Sequence, residues 1–216
     1  MILTPIPRDE LATALDRFAA DLRGPRARAA FGLIRSSSAD RAAEPAAEEH
    51  RLTALALAGG FGMAVHPPEV RCPFNWDGAA LNGATEAYVI LHEIAHFMLA
   101  PAARRRLVDF GHGPGPDTLD RVRAERAAVL SPLAREREEA AASLLGILWE
   151  AALGQPALAS FLDQNWLEGL ERGAARHFTR VLAGLHRRGL TGQLPEPAIP
   201  LPADPPQSRA GSGQIR

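Results

Sequence analysis

Residues 88–99 read Tyr88-Val89-Ile90-Leu91-His92-Glu93-Ile94-Ala95-His96-Phe97-Met98-Leu99. A run of core-grade apolar residues is interrupted by three ionisable ones. Asn82 or Thr85 is a plausible N-cap ahead of the run and Pro101 stops it, so the pattern predicts a helix over 85–100. Four residues advance a helix by about 400°, which stacks His92 and His96 and lets both imidazoles face one metal ion. Glu93 lies near enough on the same side to touch a metal-bound water. Burying three ionisable groups within five positions is costly unless they share a purpose. A metal centre is such a purpose, and it outweighs the alternative of two core histidines that merely satisfy hydrogen bonds.

Two histidines leave an ion short of protein ligands, so a third must come from elsewhere. Ser131 followed by Pro132 is a strong helix start, and the pattern runs from Ser131 to Leu153 with Gly154 as the stop. Within it, Glu139 shares a face with Ala142, Ser143 and Gly146, whose small side chains let another helix approach closely. Glu139 is therefore the preferred third ligand. Glu138 is the alternative third ligand, but with Glu136, Arg135 and Arg137 it reads more readily as part of a solvated charged face. Asp109 and His112 follow the motif helix closely enough to return to the metal, though His112 also reads as an exposed loop residue. Glu168 and Asn165 open a later helix, where capping accounts for Asn165. His50, His66, His177 and His186 show no partner pattern, and Cys72 reads as a small buried hydrophobe.

Outward from this centre, residues 8–23 carry Leu11, Leu15, Phe18 and Leu22 at helical spacing, and Phe31 to Ile34 reads as a short strand. Residues 36–49 read as a solvated loop, and 52–65 as a helix turning into a strand at Gly59, Gly60 and Gly62. A last helix is expected over 165–188. The expected fold class is α+β, predominantly helical, with a few short strands in the first 80 residues. The metal site should lie between helices 85–100 and 131–153, under the loop around Asp109. A single metalloenzyme domain spans 1–193. Residues 194–216 form a tail with six prolines, too poor in apolar residues to order itself.

Composition excludes several classes. All 24 basic residues are Arg, so there is no lysine nucleophile or Schiff base, and Arg does not give up its proton. A net charge of -1 argues against nucleic acid and anionic membrane as partners. The single cysteine can form neither an internal disulfide nor a thiolate cage. No apolar run approaches the roughly 20 residues that span a bilayer, and the proline-broken start does not read as a signal peptide. A cytoplasmic location is expected.

His92-Glu93-Ile94-Ala95-His96, then Arg104-Arg105-Arg106-Leu107-Val108-Asp109-Phe110-Gly111, then Asp163, Asn165 and Leu167-Glu168-Gly169 together resemble the elongation factor P hydroxylase family over about residues 75–195. The resemblance implies a metal-dependent oxygenase that uses O₂ to hydroxylate a modified lysine on a translation factor. It implies His92, His96 and Glu139 as metal ligands, with Glu93 and Asp109 as catalytic residues. The chain departs from the family after Phe110-Gly111, where His112-Gly113-Pro114 replaces aromatic residues, and after Glu139, where Ala140 to Ala142 replace a Lys-Pro. The implied substrate therefore extends to a related amine-bearing molecule.

The donor set has two chemical readings. Two His and one carboxylate on one face of an ion suit non-haem Fe(II) and O₂. The same set suits catalytic zinc, with Glu93 as general base in a gluzincin-type hydrolase. Fe(II) is placed ahead of Zn(II) by the family likeness. A scaffold protein with a structural metal is the third class.

Overall fold

Ser131 and Pro132 start the longest helix of the described residues as their chemistry dictates. The Ser131 hydroxyl accepts from the Ala134 amide at 3.4 Å, and Pro132 fills the first position, where no donor is needed. The computed structural model describes residues 6–168 and 173–191. In chain order they form α1 (Arg8–Asp21), α2 (Pro25–Arg35), α3 (Ala46–Gly60), β1 (Ala64–His66), β2 (Ala80–Asn82), α4 (Ala87–Leu99), α5 (Arg121–Ala127), α6 (Pro132–Ala152), α7 (Ala157–Asp163) and α8 (Ala174–Arg187). Two short 3₁₀ turns, Arg104–Arg106 and Val108–Gly111, follow α4.

The domain is mostly helical, as expected, with two short parallel strands paired Ala64 to Ala80 and His66 to Asn82. Four phenylalanines make one end of the core: Phe18 of α1, Phe31 of α2, Phe161 of α7 and Phe178 of α8. All are essentially fully buried, with ring centroids 4.8–6.4 Å apart. At the other end α4 is wedged between α3 and α6. Ile90, Leu91, Ile94 and Ala95 of α4 are wholly buried there, so the helix is apolar on nearly every side because it is covered on nearly every side. Among the described residues no helix is long and apolar enough to cross a membrane.

Several boundaries differ from expectation. Phe31 to Ile34 is helix, not strand: Ala27, Phe31 and Ile34 are spaced by four and three and form the buried face of α2, which Pro25 opens. The loop expected over 36–49 ends early, at Ala46. Neither Asn82 nor Thr85 caps α4; Asn82 ends β2 and Glu86 occupies the cap position without a side-chain bond. The helix expected over 165–188 begins at Ala174, because Asn165 takes a left-handed conformation (φ 60°) that interrupts any helix there. The proline-rich tail, residues 194–216, and Gly169 of the family likeness lie outside the described residues.

Candidate metal centre

The histidines of α4 and Glu139 of α6 meet as a compact set of donors. His92 Nε2 and His96 Nε2 are 3.0 Å apart. Glu139 Oε2 lies 3.4 Å from the first and 3.5 Å from the second. A tetrahedral ion with bonds of about 2.0–2.1 Å has donor–donor edges of about 3.3–3.4 Å, and an octahedral one about 2.8–3.0 Å. The three edges therefore have the size a first-row divalent ion requires. Two imidazole nitrogens and a carboxylate oxygen are also the donors that such ions accept.

The close approach of α4 and α6 rests on Gly146. A Cβ there would lie 3.3 Å from the His92 nitrogen and 3.4 Å from its Cα, tight enough that a side chain would push the helices apart by a few tenths of an ångström. This bears out the small-residue face expected beside Glu139. Ser143, on the same face, accepts a hydrogen bond from Trp166 Nε1 at 2.8 Å.

The electrostatics favour a cation. Burial would raise the Glu139 carboxyl, but the imidazoles of His112, His92 and His96, 3.1–3.5 Å away, hold it far below the usual carboxylate range. Desolvation would lower the His96 imidazole, yet Glu138 and Glu139 hold it up to about 10. The field that keeps a proton on His96 is the field a divalent ion would compete for. Glu93 is buried, and its carboxyl is raised first by desolvation; the Asn75 amide donates to its Oε1 at 3.4 Å.

A strained strap covers one side. Asp109 (φ 43°) and Phe110 (φ 52°) are both left-handed without being glycine, a conformation that costs energy and is held by its surroundings. The Asp109 amide donates to the Trp76 carbonyl at 2.9 Å, and its Oδ2 accepts from the Thr118 hydroxyl at 3.0 Å. The Phe110 ring is stacked between Trp76 and His96. Asp109 borders the same cavity as the three donors and is not itself one of the grouped ligand atoms.

Two expectations about neighbouring residues are corrected. Glu138 does not belong to a solvated charged face: its side chain is only 14% exposed, and it accepts from Arg104 Nη2 and pairs with His112 Nε2 at 2.8 Å. His112 is not an exposed loop residue but is 5% exposed, with its Nδ1 3.1 Å from Glu139 Oε1. His66 also has a partner, Asp77 Oδ2 at 2.8 Å, with Cys72 nearby and only half-buried. Asn75, Thr118 and Arg104 join the site without having been expected there. Of these only Arg104 carries a signal in the sequence, being part of the Arg-Arg-Arg-Leu-Val-Asp-Phe-Gly stretch.

The donors open onto a cavity of about 1300 Å³. Its wall carries Glu93, Asp109, Asp117, Glu139, Asp163 and Glu168 against three arginines, Arg17, Arg41 and Arg135. Arg41 is already engaged by Asp163 at 2.7 Å. Asn165 and Glu168, expected at a helix start, border this cavity instead. No protein-family model, curated protein or solved structure matches the chain.

Proposed function

We propose that the chain is a metal-dependent oxygenase, with Fe(II) and O₂, that hydroxylates a modified lysine of elongation factor P or a related amine-bearing substrate. The observation that carries the metal is the triangle of His92 Nε2, His96 Nε2 and Glu139 Oε2, with edges of 3.0–3.5 Å. The family resemblance supplies the reaction, and a cytoplasmic location suits a translation-factor substrate.

Bound iron would supply the activation of O₂ that replaces a C–H bond by C–OH, with an external two-electron donor and two protons converting the second oxygen atom to water. The chain's own residues do the rest. His92, His96 and Glu139, which line the cavity, would hold the ion. Asp117 and Glu168, exposed carboxylates on the cavity wall, attract and orient an ammonium group. Glu93, whose carboxyl burial raises, would take or return a proton at this site. Asp109, with Thr118 fixing one oxygen, is placed to hold the substrate amine.

The alternative, a gluzincin-type zinc hydrolase, uses the same donors with Glu93 as general base. The test is to load the chain with Fe(II) without oxygen, add O₂, a two-electron reductant such as ascorbate and the candidate substrate, and read the product by mass spectrometry. The mass of one added oxygen atom is expected. Its absence from every iron-loaded preparation contradicts the oxygenase, and peptide or amide hydrolysis that persists under strict anaerobiosis establishes the zinc reading.

A further inference from the structure

His96 directs Nε2 toward His92 and Glu139, which leaves Nδ1 on the opposite side of the ring. That Nδ1 is buried and has no hydrogen-bond partner among the described residues. A histidine that ligates a metal almost always gives its other N–H to a carboxylate or carbonyl, which fixes the ring and raises its basicity. The carboxylate that His96 Nδ1 faces is Glu138, with Oε1 3.8 Å away. This is too far for a hydrogen bond and near enough to become one with a small rotation of either side chain.

Glu138 is itself held in place. Arg104 Nη2 donates to its Oε2, and Arg104 Nη1 donates to the Phe110 carbonyl at 3.1 Å, so one guanidinium ties the strap to α6. His112 Nε2 lies 2.8 Å from Glu138 Oε1, and His112 Nδ1 lies 3.1 Å from Glu139 Oε1. Successive residues on a helix project about 100° apart. Glu139 thus meets the inner side of the His96 ring while Glu138 meets its outer side.

His96, His112 and Glu138 also lie close enough to hold a second ion of their own. Arg104 argues against that, because its guanidinium already occupies Glu138 Oε2 and would repel a divalent cation there.

We infer that Glu138 is the positioning residue of the metal centre: clamped by Arg104 and His112, it accepts the Nδ1–H of His96 and sets that ring for the ion. The inference rests on the metal reading proposed above. It also gives Arg104 a task inside the fold.

The test measures Co(II) affinity by competition with a chromophoric chelator, together with the visible Co(II) spectrum, for wild type and Glu138→Gln. The Gln variant is expected to bind about 10- to 100-fold more weakly, with shifted bands. A Glu138 that served only stability would lower the melting temperature before metal is added and leave affinity and spectrum unchanged; that result overturns the inference. Should Glu138→Gln fail to fold, ¹⁵N-histidine spectra of the Zn(II)-loaded wild type decide instead. A downfield, exchange-protected His96 Nδ1–H is expected, and a freely exchanging one overturns the inference. A wild type that binds no Co(II) at all defeats the metal reading itself, which separates the two failures.

Discussion

Gly146 of α6 lies against the backbone of His92 of α4, so closely that a methyl group in place of its hydrogen would meet the His92 nitrogen at 3.3 Å and the Leu91 carbonyl carbon at 3.5 Å. Backbone cannot swing aside as a side chain can. Gly146→Ala must therefore push α4 and α6 apart by a few tenths of an ångström, and with them His92 from Glu139. Overpacking of this kind costs about 1–3 kcal/mol, against a gain of up to about 1 kcal/mol in helix propensity. The variant should melt below wild type and bind metal more weakly. Gly32, exposed in α2, is the control, since a methyl group added there would have nothing within 4 Å. Gly32→Ala should stabilise by about 0.5–1 kcal/mol. Thermal melts of the two variants check both signs.

The phenylalanine cluster predicts the largest single loss. Phe178 is fully buried and packs on Phe18, Phe31 and Phe161, which come from three other helices. Truncation to alanine removes a whole ring where four helices meet. Phe178→Ala should cost about 3–5 kcal/mol in urea unfolding; a loss under about 1 kcal/mol would show that this end of the core is not packed as described.

Glu150 sets a pH dependence. Its side chain is 3% exposed, and burial raises its carboxyl to about 7, with Ser160 and Arg41 only partly opposing. An acid whose folded value lies above its unfolded 4.5 contributes stability that is fully present below 4.5 and is lost as pH rises through about 7. Glu150→Gln keeps the neutral form at every pH. Relative to wild type it should gain up to about 3 kcal/mol above pH 7 and almost nothing below pH 4.5. Paired melts across that window read the difference, and a constant offset would contradict the assignment.

Glu93 offers a separation of binding from turnover. It borders the ion's donors without being one of them, and its carboxyl is buried and raised by desolvation. Glu93→Gln should keep the metal content of wild type and lose turnover by about 100-fold or more. Loss of metal together with activity would make Glu93 part of the binding set.

What can be read from residues alone is what short spacing encodes. His92 and His96 share a face because they are four apart, and Ser131-Pro132 and Gly154 bound α6 through local capping. Glu139 can be preferred because Ala142, Ser143 and Gly146 follow it on its own face. Glu138 escapes such a reading for the complementary reason: its burial depends on Arg104, 34 positions away, and on His112, 26 positions away. Charge alternation along Arg135 to Glu139 looks the same whether its partners are water or a strap folded over from elsewhere. Phe31 to Ile34 is too short for its period to be told from a strand, and the left-handed turn at Asn165 carries no local mark that distinguishes it from a helix cap.

Every role proposed for this centre requires that His92, His96 and Glu139 hold one ion. The direct measurement is elemental analysis of the freshly purified wild type, anaerobically reloaded with Fe(II), beside His92→Ala and Glu139→Ala. One equivalent of tightly held metal in wild type, with iron retained and at least a roughly 100-fold weaker hold in each variant, is the predicted result. A wild type that retains no metal after gel filtration, or variants that retain as much as wild type, would contradict it.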